Sequence, residues 1–225
     1  MIRRLALIFL AAFLACPALA ANDGQGLPPQ FINYVKSSDH HDAVLARMKA
    51  QWERTIRCSN FTFEDYQLMI VSPPEFDGEG RPIKGAWREF AKVNGCGTSR
   101  QMNVHMVVLP DQDIRRIATL PGTARADAQL QRDTLMYVVV ASSAIIPKDC
   151  KDTQITNTEF LGFDGAPMPD ARPGMEARPW AEDWTLIGCN NGAVVKVHYI
   201  PDATGTTINT KGNETRRIPA PITPN

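Results

Sequence analysis

The sequence predicts an α+β protein built from two tandem repeats, each one helix plus a small antiparallel sheet pinned by a disulfide. Three observations carry this. First, Trp87, Glu89, Gly95, Cys96, Val104 and His105 recur without a gap as Trp180, Glu182, Gly188, Cys189, Val197 and His198. Such an ordered internal echo is the signature of a duplicated structural unit. Second, four of the five cysteines form two similarly spaced sets, Cys58 with Cys96 and Cys150 with Cys189, 38 and 39 residues apart. Third, in each half a helix-periodic stretch precedes segments with strand alternation.

Residues 1–20 read as a signal peptide rather than as part of the fold. Arg3 and Arg4 form a basic start, Leu5 to Leu14 an apolar run, and Ala18-Leu19-Ala20 a cleavage site of small residues. The residues around the Arg pair fit a twin-arginine signal poorly. Phe13 stands where a lipobox requires Leu or another aliphatic, so cleavage after Ala20 is expected rather than lipidation of Cys16. Residues 21–37, rich in Gly and Pro at their start, are expected to be a flexible N-terminal segment.

Repeat 1 is assigned to residues 38–124 and repeat 2 to 125–210. The first helix is expected over Asp42 to Arg57, with Ser38-Asp39 supplying the cap and Val44, Leu45, Met48, Trp52 and Ile56 at helical spacing. The second helix is expected from about Arg125 to Ser143, although Tyr137 to Ala141 are β-branched enough to suit a strand. Its start echoes the first, with Asp127-Ala128-x-Leu130-x-Arg132 repeating Asp42-Ala43-x-Leu45-x-Arg47. Met102, Val104, Met106 and Val108 alternate with Asn103 and His105, and Val195, Val197 and Tyr199 alternate with Lys196 and His198. Both patterns predict half-buried strands with the histidines on the solvent side. Thr206 to Thr210 predicts a further short strand after a glycine turn, and residues 211–225 are expected to be a disordered tail.

A duplicated unit most simply duplicates its own bridge, which predicts Cys58–Cys96 and Cys150–Cys189. Closing loops of this size contributes roughly 3–4 kcal/mol per half. Gly97 and Asn190 follow the second cysteine of each pair and predict left-handed turns there. Two disulfides also imply an oxidising compartment, so a periplasmic or secreted location is expected. Paired cysteines leave no thiolate nucleophile or zinc site.

Removing Arg3 and Arg4 with the signal leaves 22 basic residues (24 minus two) against 24 acidic ones, a formal charge of −2. Nothing in that balance draws the chain to nucleic acid. No later stretch has the length of a transmembrane segment. Phosphate-loop, nucleophile-elbow, His-Glu-x-x-His and dinucleotide motifs are missing from the sequence, so no cofactor is expected.

The repeated polar and aromatic residues are the natural candidate ligand-contact surface: Trp87, Glu89, His105, Trp180, Glu182 and His198. Two alternatives use the same groups or their neighbours. Glu89 and Glu182 facing one another, with a histidine, would suit an envelope hydrolase. Asp39, His40, His41 and Asp42 supply donors for a metal, but their spacing selects no geometry, and the simpler reading is two solvated histidines at a helix start. No catalytic or metal residue is assigned. The leading reading is a non-enzymatic binding or envelope-interaction protein, its partner an unknown envelope component or small ligand.

Gly85-Ala-Trp87-Arg-Glu89-Phe90-Ala-Lys-Val93-Asn-Gly-Cys96-Gly97, followed by Val104 and Pro110-Asp111, resembles a pattern in uncharacterised exported proteobacterial proteins. That pattern reads Gly-x-Trp-x-Glu-x-Trp-x-Val-x-x-Cys-Gly and leads through a valine-rich strand to Pro-Asp and Gly-Thr. Trp180 to Thr206 is similar, with Asn190 replacing the final Gly and Trp184 five residues before Cys189 where Phe90 stands six before Cys96. The resemblance implies export and a small β unit, and no activity.

Overall fold

A computed structural model describes residues 27–172 and 176–219; the expected signal peptide lies outside the described residues. The architecture is two-part. Helices α1 (Pro29–Lys36) and α2 (Ser38–Ile56) precede a four-stranded antiparallel meander of β1 (Phe61–Phe76), β2 (Pro82–Gly95), β3 (Thr98–Val108) and β4 (Ile114–Thr119). Helix α3 (Ala128–Ser142) precedes the second meander of β5 (Gln154–Phe163), β6 (Trp180–Gly188), β7 (Asn191–Pro201) and β8 (Thr206–Ile218). Each sheet carries its own core. The first gathers Phe31, Val44, Met48, Trp52, Trp87, Met102, Val104 and Met106, and the second Val138, Trp180, Trp184, Leu186, Val195, Val197 and Tyr199.

Both disulfides join the expected pairs, with Cα–Cα separations of 6.1 Å for Cys58–Cys96 and 5.9 Å for Cys150–Cys189. Each ties the segment between helix and first strand to the tip of the central hairpin. Those tips are two-residue turns, closed by the Gly95–Thr98 and Gly188–Asn191 pairs. Cys96 and Gly97 have φ of 47° and 72°, and Cys189 and Asn190 have 47° and 60°. Two successive left-handed residues match the turn to the twist of the strands. The left-handed turn is therefore present in both halves, and it includes the cysteine itself.

Several expectations are corrected. The first half holds two helices, not one. Residues 29–36, assigned to a flexible segment, form α1 with Pro29 at its first position and Phe31 buried against Trp87. Helix α2 starts at Ser38, earlier than Asp42. The residue at its cap position is Ser37, whose hydroxyl turns back to the Tyr34 carbonyl (2.7 Å) and leaves the new helix uncapped by side chain. Asp127 does cap α3, accepting from the Leu130 amide at 2.8 Å. Tyr137 to Ala141 are helical. Residues 211–218, assigned to a disordered tail, complete β8, whose outer half pairs with Gly192–Val195 of β7.

The halves meet along the chain between them. Gly122 and Thr158 form a parallel bridge, with Thr158 N–H donating to the Pro121 carbonyl (2.7 Å) and Thr123 N–H to the Thr158 carbonyl (2.8 Å). Gly122 has φ +110°, and a Cβ there would fall 1.9 Å from the Thr158 oxygen. Only glycine fits this joint.

Candidate functional site

Strand alternation in β2 points Trp87, Glu89, Ala91 and Val93 at the helices, so Glu89 enters the first core. It is fully buried. Its Oε1 accepts from His40 Nε2 at 2.6 Å and Trp87 Nε1 at 2.7 Å, and its Oε2 accepts from the Tyr66 hydroxyl. His40 shares the inner stripe of α2 with Val44 and Met48. That i, i+4, i+8 spacing is the signal in the sequence that marks it as buried rather than solvated. His41 lies against Tyr66 instead, ring centroids 4.9 Å apart.

The second core repeats the arrangement with different donors. Glu182 Oε1 accepts from Trp180 Nε1 (2.9 Å) and from the Arg125 and Ala126 backbone N–H groups (2.8 and 3.0 Å). Its Oε2 accepts from Trp184 Nε1 at 3.0 Å. His40 stands two residues before Asp42, and Arg125 two before its counterpart Asp127. Thus the imidazole that holds Glu89 is replaced by backbone amides at the start of α3. Three or four donors compensate each carboxylate for lost water, and the N-terminal end of α3 favours the charge further. The one-residue offset of Trp184 is explained too. It puts Trp184 on the same face as Trp180 and Glu182, where Ala91 stands in the first half, while Phe90 faces the other way.

His105 is buried, contrary to the expected solvated face. Residues 120–126 cross the back of the first sheet and cover it. Arg88 Nη1 donates to the Ala124 carbonyl (2.8 Å), and Asn103 Nδ2 to the Gly122 and Leu120 carbonyls (2.8 and 3.0 Å). Burial, reinforced by the Arg88 guanidinium, pushes the His105 imidazole down to about 3, so it is neutral. His198 keeps partial exposure, its side chain 20% accessible. Its Nε2 faces Glu214 (2.8 Å) and its Nδ1 faces Asp164 (3.3 Å). The hydrogen bond from His198 holds the Glu214 carboxyl below its ordinary range. A small recess of about 260 Å³ lies beside it, lined by Trp180, His198 and Lys211 among others.

The six residues expected to form one surface therefore do not. Trp87, Glu89, His105, Trp180 and Glu182 are buried, and only His198 reaches solvent. Glu89 and Glu182 occupy separate cores, so they do not flank a common substrate. Among the described residues no three His, Cys, Asp or Glu side chains group to hold a metal ion.

A cleft of about 550 Å³ lies between the halves. Gln51, Arg54 and Thr55 of α2 form one wall, Leu135 and Val139 of α3 the other, and Ile117 and Ile155 from the facing sheet edges the base. Arg54 and Arg132 stand at its rim without a carboxylate within 4.0 Å among the described residues. Gln51 Nε2 donates to the Thr119 carbonyl, whereas Gln51 Oε1 and Thr119 Oγ1 are buried without partners. An apolar base, two guanidinium groups without a carboxylate partner and two unsatisfied polar atoms suit an apolar ligand that carries an anionic group. Sequence reasoning missed the cleft because its walls come from four distant segments.

No family model matches the chain, and neither a curated protein nor a solved structure is similar to it. The fold and site define a two-part α+β protein with an open apolar cleft. Among the described residues no helix is long and apolar enough to cross a membrane.

Proposed function

We propose that this is an exported, periplasmic binding or cell-envelope interaction protein, non-enzymatic, whose contact site is the cleft between its halves. The single observation that carries the reading is the cleft itself, whose volume falls in the range of ligand sites and whose lining combines an apolar base and one apolar wall with Arg54 and Arg132. Two disulfides and the N-terminal sequence support export. The Trp-x-Glu and Cys-Gly motif supports kinship with the exported proteobacterial proteins it resembles. Glu89 and Glu182 each sit saturated with donors inside a different core, which gives no support to a hydrolase that uses these two as a pair.

The test uses 1-anilinonaphthalene-8-sulfonate, an apolar ring system bearing one anionic group. Saturable binding to the folded, oxidised protein is expected. Thr55→Trp, which fills the cleft mouth, should abolish it, and Arg54→Gln with Arg132→Gln should weaken it about tenfold. Binding that ignores Thr55→Trp, or no saturable binding, refutes the site.

A further inference from the structure

Helix α3 presents its apolar residues outward. The stripe that faces its sheet is Gln131, Thr134, Val138 and Ser142, three of them polar. The opposite side exposes Leu135 (39%), Met136 (69%), Tyr137 (45%), Val139 (47%) and Val140 (62%). Rolling the helix to bury them is blocked by its inner hydrogen bonds. Gln131 donates to the Ala126 carbonyl (2.9 Å) and accepts from the Leu120 amide (2.8 Å), while the Thr134 hydroxyl meets the Tyr199 hydroxyl (3.1 Å). The inverted face is thus locked in place. Together these five side chains expose on the order of 500 Å² around the outer side of the helix, at the upper end for a protein that stays alone.

We propose that this face is a self-association surface on which two copies of the chain pack α3 against α3, antiparallel about a twofold axis. Three features select a second copy as the occupant. The apolar residues 135–140 occupy the C-terminal half of Ala128–Ser142, and an antiparallel copy centred on that half sets Leu135 and Met136 against the second copy's Val140 and Val139, long chains against branched ones. Helix α3 has no basic residue in its last turn, and Arg132 has no carboxylate partner among the described residues. Antiparallel pairing carries Arg132 to the C-terminal carbonyls of the second helix, where a cation is favoured. Two such faces together cover about 1,000 Å² before any rim is counted, which reaches the size of a specific interface. Met136, Tyr137 and Val140 stand outside the cleft, so the proposal does not depend on ligand binding there, although Leu135 and Val139 border both.

Sedimentation velocity of the processed, oxidised chain between about 1 and 200 μM tests it. The wild type is expected to show a concentration-dependent dimer. Met136→Glu with Val140→Glu should raise the dissociation constant at least about a hundredfold by placing charges in the apolar seam, with an unchanged circular dichroism spectrum. Val140→Lys alone, a milder change at the most accessible valine, should act in the same direction if the double variant folds poorly. Arg132→Glu should weaken the dimer several-fold. A wild type that stays monomeric throughout overturns the proposal, including one that instead binds phosphatidylglycerol vesicles through this face. So does a dimer indifferent to the Val140 and Met136 substitutions.

Discussion

Replacing Glu182 by Gln removes one charge and almost no volume, so its effect isolates the hydrogen-bonding role assigned to the repeated glutamates. In the native protein four N–H donors converge on this carboxylate: Trp180 Nε1, Trp184 Nε1 and the Arg125 and Ala126 amides. A Gln carbonyl in the Oε1 position keeps three of them, each without charge assistance. The new NH₂ then faces the Trp184 N–H, donor against donor, in a fully buried setting. Each buried group left without a partner costs about 1–3 kcal/mol, so the substitution should destabilise by roughly 2–5 kcal/mol. For a chain of this size that lowers the midpoint of thermal unfolding by on the order of 10 °C. Glu89→Gln should cost less, roughly 1–3 kcal/mol, since a Gln carbonyl in the Oε1 position keeps His40 and Trp87 without charge assistance and the new NH₂ can donate to the Tyr66 hydroxyl. Thermal and urea unfolding of the oxidised variants measure both. A change below about 0.5 kcal/mol for either would refute the structural role, as would a gain in stability, the behaviour expected of a strained catalytic carboxylate.

Two further outcomes follow from the joint and from the covered sheet face. Gly122→Ala should destabilise by about 3 kcal/mol or more, because its Cβ would meet the Thr158 carbonyl and φ +110° is unfavourable for alanine; equal melting curves would contradict this. His105, held down to about 3 when folded, takes up its proton mainly in the unfolded chain. Its contribution is therefore complete above the ordinary histidine value and is lost as pH falls towards 3, by up to about 1.4 kcal/mol per pH unit. His105→Asn should remove that slope, and urea midpoints for wild type and variant that stay parallel from pH 7 to pH 4 would refute it.

Much of the fold was legible because the duplicated unit repeats its physical devices. The cysteine spacing, the helix cap at Asp127, and the alternation in Met102–Val108 and Val195–Tyr199 each report a local constraint. Burial of Asn103 and His105 was not legible in that alternation. A period of two shows that one face is apolar, and it is silent about a polar face covered by a short Pro-Gly-Thr-Ala segment whose carbonyls bind Asn103 and Arg88. Helix α1 was obscured by Pro28-Pro29 and the preceding glycines, although Phe31, Tyr34 and Val35 have helical spacing. The end of β8 lacks apolar periodicity because an edge strand needs only backbone pairing on one side. The glutamates looked like surface chemistry because carboxylates are seldom fully buried; only the donors gathered around them from distant segments make it possible.

Acylation of the four histidines by diethyl pyrocarbonate in the folded protein, read by peptide mass spectrometry, asks most directly whether the repeated polar residues are core and the contact region lies elsewhere. The account predicts rapid modification of His41 and His198, with His40 and His105 protected until the protein unfolds. Modification of His40 and His105 in the folded state, at rates matching His198, would contradict it.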